Sequence, residues 1–270
     1  MLTIDWKERL NMDIADYLEH KLPKNDYDFE IIFNAYPERV NGKIPAEVIN
    51  YVAAALVQKI GRKHVEYLPF FQQLWVKKGD YGKIAFTQIM SKLLHKQPMV
   101  YMPLFDNALA HANHSEINSL LDKVMLPLLR KAPEKYLEKA YVYSNSKSET
   151  LRKNGLNLLV KLLKKREDLI PTIMEHFLHE WHYPLGESLP SHVLMLRAVA
   201  KQSPDYYLKI WEEHGQSRDP QIVELLCASV TEYIPELEAP VELWTHSGNA
   251  RVKKAATSAQ RLLLKKKGAE

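Results

Sequence analysis

Apolar residues return along this chain at helical intervals, in stretches separated by short polar breaks. From Thr150 to Lys165, at 100° per residue, Leu156, Leu159, Val160, Leu162 and Leu163 fall on one arc. Lys153, Asn157, Lys161, Lys164 and Lys165 fall on a stripe opposite, so the pattern predicts a helix with one buried face. Prolines punctuate the pattern at Pro69, Pro103, Pro133, Pro171, Pro204 and Pro240, 30–38 residues apart. Proline suits the first turn of a helix, where its missing N–H costs nothing. After each comes a periodic stretch, then a break such as KKGDYG, HANHSE, YSNSKSE, EEHGQSRDP or THSGN, and usually a second periodic stretch. Each unit reads as helix, turn, helix. Two helices every 30–38 residues is the repeat of an α-solenoid. The expectation is an all-α solenoid of about six to eight helical hairpins, six of them starting near those prolines.

The second helices share a detail. Leu151, Leu194, Val223 and Val252 are each followed four residues later by a small residue: Gly155, Ala198, Cys227 and Ala256. A small side chain at a fixed place lets neighbouring helices approach closely. Residues 1–66 repeat less clearly. Leu10–Leu22 reads as a helix ending before Pro23, and Pro45–Ile60 as a helix with a proline start and a stop at Gly61. The organisation expected is an irregular helical cap over 1–66 and one continuous repeat array over 67–270. The tail LLLKKKGAE reads as a helix end followed by a frayed basic terminus.

Composition narrows the chemistry. Glycine is scarce, 9 of 270 residues, which argues against turn-rich sandwiches and barrels and against glycine-loop nucleotide binders. One cysteine excludes an internal disulfide and a cysteine-rich zinc site. The longest apolar run, Tyr51–Val57, is too short for a signal peptide or a membrane span, so a cytoplasmic protein with no membrane partner is expected. GxGxxG, GxxxxGK[ST], GxSxG and HExxH are all absent, and no cofactor is expected. His176, His179 and His182 lie three apart, but the third is rotated about 240° from the first, so a polar helix face is the expectation rather than a metal site. Cys227, at a packing position, is expected to be a buried, inert thiol.

Charge is unevenly spread. Residues 121–166 hold twelve Lys/Arg and four Asp/Glu, and residues 251–270 hold seven and one, within a chain of net charge +4. Such blocks are either solvated helix faces or the footprint of phosphate binding. Arg152 points into the apolar arc near Leu159 and Leu163, and a buried guanidinium must be hydrogen-bonded. It is either a structural link between repeats or a functional arginine on an inner surface. Asp122 lies at the edge of its helix's apolar arc, where a plain solvated carboxylate also fits.

The paired-helix units, with NARVKKAA (Val252, Lys253, Ala256) and SRDPQIVELLC (Asp219, Val223), resemble HEAT-type repeats. More narrowly, LWVKKGDYGKIAFTQIMSKL, INSLLDKVMLPLLRKAP and YLEKAYVYSNSKSETLRKNGL are similar to the HEAT-like DNA alkylation repair family, whose known members remove alkylated purines from DNA. The resemblance covers roughly residues 66–265 and implies a right-handed superhelix. By position it puts the family's essential aspartate on Asp122 and its inner-helix arginine on Arg152, as catalytic residues. Asn118 stands where the family usually carries a tryptophan, and a glycosylase needs aromatic walls around a cationic base. The resemblance thus implies binding of the phosphate backbone of double-stranded DNA through Lys153, Lys161, Lys164 and Lys165, with base excision weak or absent. The other reading is a non-catalytic scaffold that holds a protein partner on its concave surface.

Overall fold

The computed structural model describes residues 5–20 and 29–268. Leu22 and Pro23, where the first helix was expected to end, lie outside the described residues, as do the last two residues of the tail. Among the described residues the chain is all-α, with no strand and one isolated bridge, Val40–Lys43. Its helical architecture is compatible with an α-solenoid. The chain forms two compact units, residues 1–128 and 129–270.

The first unit contains α1 (Trp6–His20), α2 (Ala46–Ile60), α3 (Leu68–Lys77), α4 (Gly79–Leu93), α5 (Pro98–Ala110) and α6 (His114–Leu120). A π turn at Leu121–Met125 follows and leads into α7 (Leu126–Lys131), within which the two units divide. The 1–66 region supplies α1, a 3-10 turn at Phe29–Phe33 and α2, and α2 runs from Pro45 to its cap at Gly61 as expected. Helix α4 packs on α2, α3, α5 and the π turn. Its contacts enclose an aromatic-rich core that includes Phe33, Phe71, Trp75, Phe86 and Phe105.

One proline departs from expectation. Pro103 lies inside α5, whose first residue is Pro98. The bond it forfeits is to the carbonyl of Met99, a residue 90% exposed in the first turn, so water can take that carbonyl and the helix continues. Pro69, Pro133, Pro171 and Pro204 do stand in first turns, and Pro240 is the third residue of its helix.

The second unit repeats most regularly. Its first helices are α8 (Pro133–Ser144), α10 (Ile170–Leu178), α12 (Pro204–His214) and α14 (Glu238–Thr245). Its second helices are α9 (Glu149–Leu163), α11 (Leu189–Gln202), α13 (Pro220–Ser229) and α15 (Ala250–Lys267). The second helices form a row, α9 on α11, α11 on α13 and α13 on α15, while α8, α12 and α14 back α9, α11 and α15. The small residues do what their spacing predicts: Gly155, Ala198, Cys227 and Ala256 are all buried. At Gly155 even a methyl group is too large, because a Cβ would lie 2.6 Å from the Ser144 backbone nitrogen of α8.

The polar breaks start the second helices. Ser148, Asp219 and Asn249 are the N-caps of α9, α13 and α15, each accepting a backbone N–H from the first turn. Two residues earlier, Ser146, Ser217 and Ser247 each accept the cap's own N–H at 3.2 Å. Asn113 and Glu116 close a capping box at α6 in the first unit. These polar side chains have helix-starting work that repeats with the fold.

Candidate nucleic-acid interface

The residues singled out in the sequence separate into distinct environments. Asp122 is half-buried in the π turn of the first unit. Arg152 belongs to the second unit, in the first turn and a half of α9. Its Nη1 donates to the Ser146 carbonyl at 2.9 Å and its Nε to Ser188 Oγ at 3.2 Å. Ser188 is itself buried, in the 3-10 turn that precedes α11. The guanidinium ties the α8–α9 turn to the start of the next second helix, so the linking reading of Arg152 is the one its bonds support.

Lys153 is likewise occupied. Its ammonium meets Glu149 at 2.6 Å and Glu187 at 3.2 Å. These hydrogen bonds, the one to Glu149 foremost, hold its pKa above the ordinary lysine value. Lys161 sits half-exposed on the polar stripe of α9.

Lys164 and Lys165 are different. Both are exposed at the C-terminal end of α9. They open onto a groove of about 710 Å³ that continues along Leu194, Arg197 and Lys201 of α11 and reaches Thr231 and Glu232 beyond α13. Four cations thus face the groove against the single carboxylate of Glu232, and none of the four forms an ion pair among the described residues. Arg197 is pre-positioned, since its Nε and Nη2 both donate to the Ala228 carbonyl, at 3.2 and 2.7 Å. The groove follows the edge where second helices hand over to the next hairpin. Lysines at helix C-termini suit the negative end of the helix dipole, which accounts for a few tenths of a kcal/mol each. Their convergence on one open groove is a separate fact, and it concentrates positive potential there.

Arg197 and Lys201 escaped the sequence reading because neither belongs to a charge block. Their i, i+4 spacing on α11, with Leu194 at i−3 of Arg197, is the signal that marks them as one face.

Other candidate chemistry has structural employment. Cys227 is buried and its thiol is pushed up to about 12 by that burial, which removes the thiolate needed for nucleophilic work. The His176 ring lies flat on Tyr141 at 3.8 Å, while His179 and His182 are exposed. Among the described residues no three His, Cys, Asp or Glu side chains converge as metal ligands. Among those residues, too, no helix is long and apolar enough to cross a membrane. Comparison of the chain with family models, with curated proteins and with solved structures returns no match.

Proposed function

We propose that the protein is a HEAT-type helical-repeat protein that binds double-stranded DNA through its phosphate backbone, without sequence preference and with base excision weak or absent. The observation that carries this reading is the groove of Lys164, Lys165, Arg197 and Lys201 with one facing carboxylate. The row of second helices α9, α11, α13 and α15 is what a helical-repeat array behind the groove requires. The engagement of Arg152 with Ser146 and Ser188 favours binding over excision, because that guanidinium is occupied by the fold.

The test is fluorescence anisotropy with a short duplex over a salt series. Three to four neutralised phosphates give a log–log slope of about −2.7 to −3.6, a loss of roughly 40- to 150-fold in affinity between 50 and 200 mM salt. The variant Lys164→Gln/Lys165→Gln/Lys201→Gln should flatten that slope for every sequence. Absence of binding at low salt, or a slope unchanged in the variant, rejects the reading. Release of 7-methylguanine from methylated duplex, compared between the native protein and Asp122→Asn, separates binding alone from slow excision. Release that the substitution leaves intact removes Asp122 from any catalytic role.

A further inference from the structure

A second groove in residues 129–270 has the opposite character. It runs between α12 and α14, holds about 430 Å³, and has Trp211, Gly215 and Pro240 as its floor with Leu208 and Leu243 beside them. The floor is closed where α14 meets the end of α12: a Cβ on Gly215 would lie 3.3 Å from Pro240 Cγ. Leu243 is 56% exposed over it. The charged residues on its rim are Glu212 and Glu236, and neither makes a hydrogen bond or an ion pair among the described residues.

On the other side of α14 lies a further groove of about 500 Å³, which shares Ala239 and exposes Leu264, with Glu238 and Glu242 on its edge. Its one cation, Lys267, is already held by Glu238 at 2.7 Å. Of the nine Asp/Glu in residues 202–250, Asp219 caps α13 and Glu224, Glu238 and Glu242 have partners, whereas the two that line this groove, Glu212 and Glu236, have none among the described residues.

We infer that this face of α12 and α14 is a docking surface for a basic amphipathic helix of another protein. Apolar residues on one side of such a helix fill the groove over Trp211 and Pro240, and its flanking lysines or arginines meet Glu212 and Glu236. The carboxylates steer a cationic partner in and repel nucleic acid, anionic lipid and acidic peptides. The inference stands on other residues than the phosphate-binding groove, and either holds without the other.

A fluorescently labelled helical peptide of leucines and lysines, with the leucines at i, i+3, i+4 and i+7, tests it by anisotropy against the full chain. The native protein should bind it and not the counterpart with glutamate for lysine. Glu212→Lys/Glu236→Lys, two exposed changes that leave the core intact, should weaken binding about tenfold or more. Leu243→Ser should weaken it independently of charge. Glu47→Lys/Glu66→Lys makes the same change in net charge at exposed sites in the first unit and should leave binding as it was. Four results would overturn the inference. They are no binding by the native protein, an equal loss in the 47/66 variant, equally tight binding of a lysine–serine peptide without leucines, and a smaller sedimentation coefficient for unliganded Glu212→Lys/Glu236→Lys. The last would mean that a second copy of this chain occupies the groove.

Discussion

The two ends of the second-helix row in residues 129–270 use the same kinds of side chain for opposite purposes. At the N-terminal ends, cations are consumed by the fold. Arg152 reaches Ser146 and Ser188, Lys153 reaches Glu149 and Glu187, and Arg251 pairs with Glu224 on the preceding second helix. At the C-terminal ends of α9 and α11, Lys164, Lys165 and Lys201 face a groove without ion-pair partners, beside an Arg197 anchored on a carbonyl. The lesson is that a count of positive residues does not measure a binding surface. What matters is how many remain after neighbouring repeats have taken theirs.

Four measurements bear on that contrast, from the largest effect to the smallest. The strongest concerns His192, in the first turn of α11 at the linked end. It is buried, its Nδ1 accepts from Trp181 Nε1 at 3.3 Å, and desolvation lowers its pKa to about 4. The folded state therefore takes up its proton later than the unfolded chain, whose imidazole titrates at its ordinary value. Stability falls as pH drops from about 6.5 to about 4, by on the order of 3 kcal/mol from this group. Denaturant melts of native protein and His192→Phe at pH 7 and pH 4.5 check it, and the variant should lose that part of the acid sensitivity.

Arg152→Ala comes next. It strands the buried Ser188 hydroxyl and the Ser146 carbonyl and should cost about 1–3 kcal/mol of stability. Its salt dependence on DNA should equal that of the native protein, since the guanidinium faces the fold. A drop in DNA affinity with unaltered stability would break the contrast, because it would make Arg152 a ligand-facing residue.

The triple glutamine variant of Lys164, Lys165 and Lys201 should behave in the reverse way. Its melting temperature should stay close to native, and its DNA affinity at low salt should fall about tenfold or more. Lys153→Gln is the smallest change. Its lysine is solvated and already matched by two carboxylates, so neither melting temperature nor DNA affinity should move measurably. If Lys153→Gln weakens DNA binding as much as a change at Lys164 does, the two ends are not distinct.

Much of the fold was legible because its signals are short-ranged. The arc of Leu156, Leu159, Val160, Leu162 and Leu163 became the buried face of α9. The polar breaks became turns whose Ser148, Asp219 and Asn249 cap the helices that follow. Pro103 does not start its helix, because a proline inside a first turn and a half is tolerated when the orphaned carbonyl is wet, and exposure is not written in local sequence. Of the candidate interface, Lys164 and Lys165 were visible as part of a block, whereas Arg197 and Lys201 joined them only through packing of α11 beside α9.

The sequence by itself thus determined the all-α class, the paired helices, which face of each is apolar, and where each second helix starts. Those properties depend on residues within about four positions of one another, the reach of helical periodicity and capping. Tertiary structure decided which charges are spent and which are offered. Arg152 meets Ser188 across 36 positions, Lys153 meets Glu187 across 34, and Arg251 meets Glu224 across 27. The stacking of one hairpin on the next sets those distances, so a lysine in a basic block is a strut or a groove-facing cation according to what the neighbouring helices place opposite it.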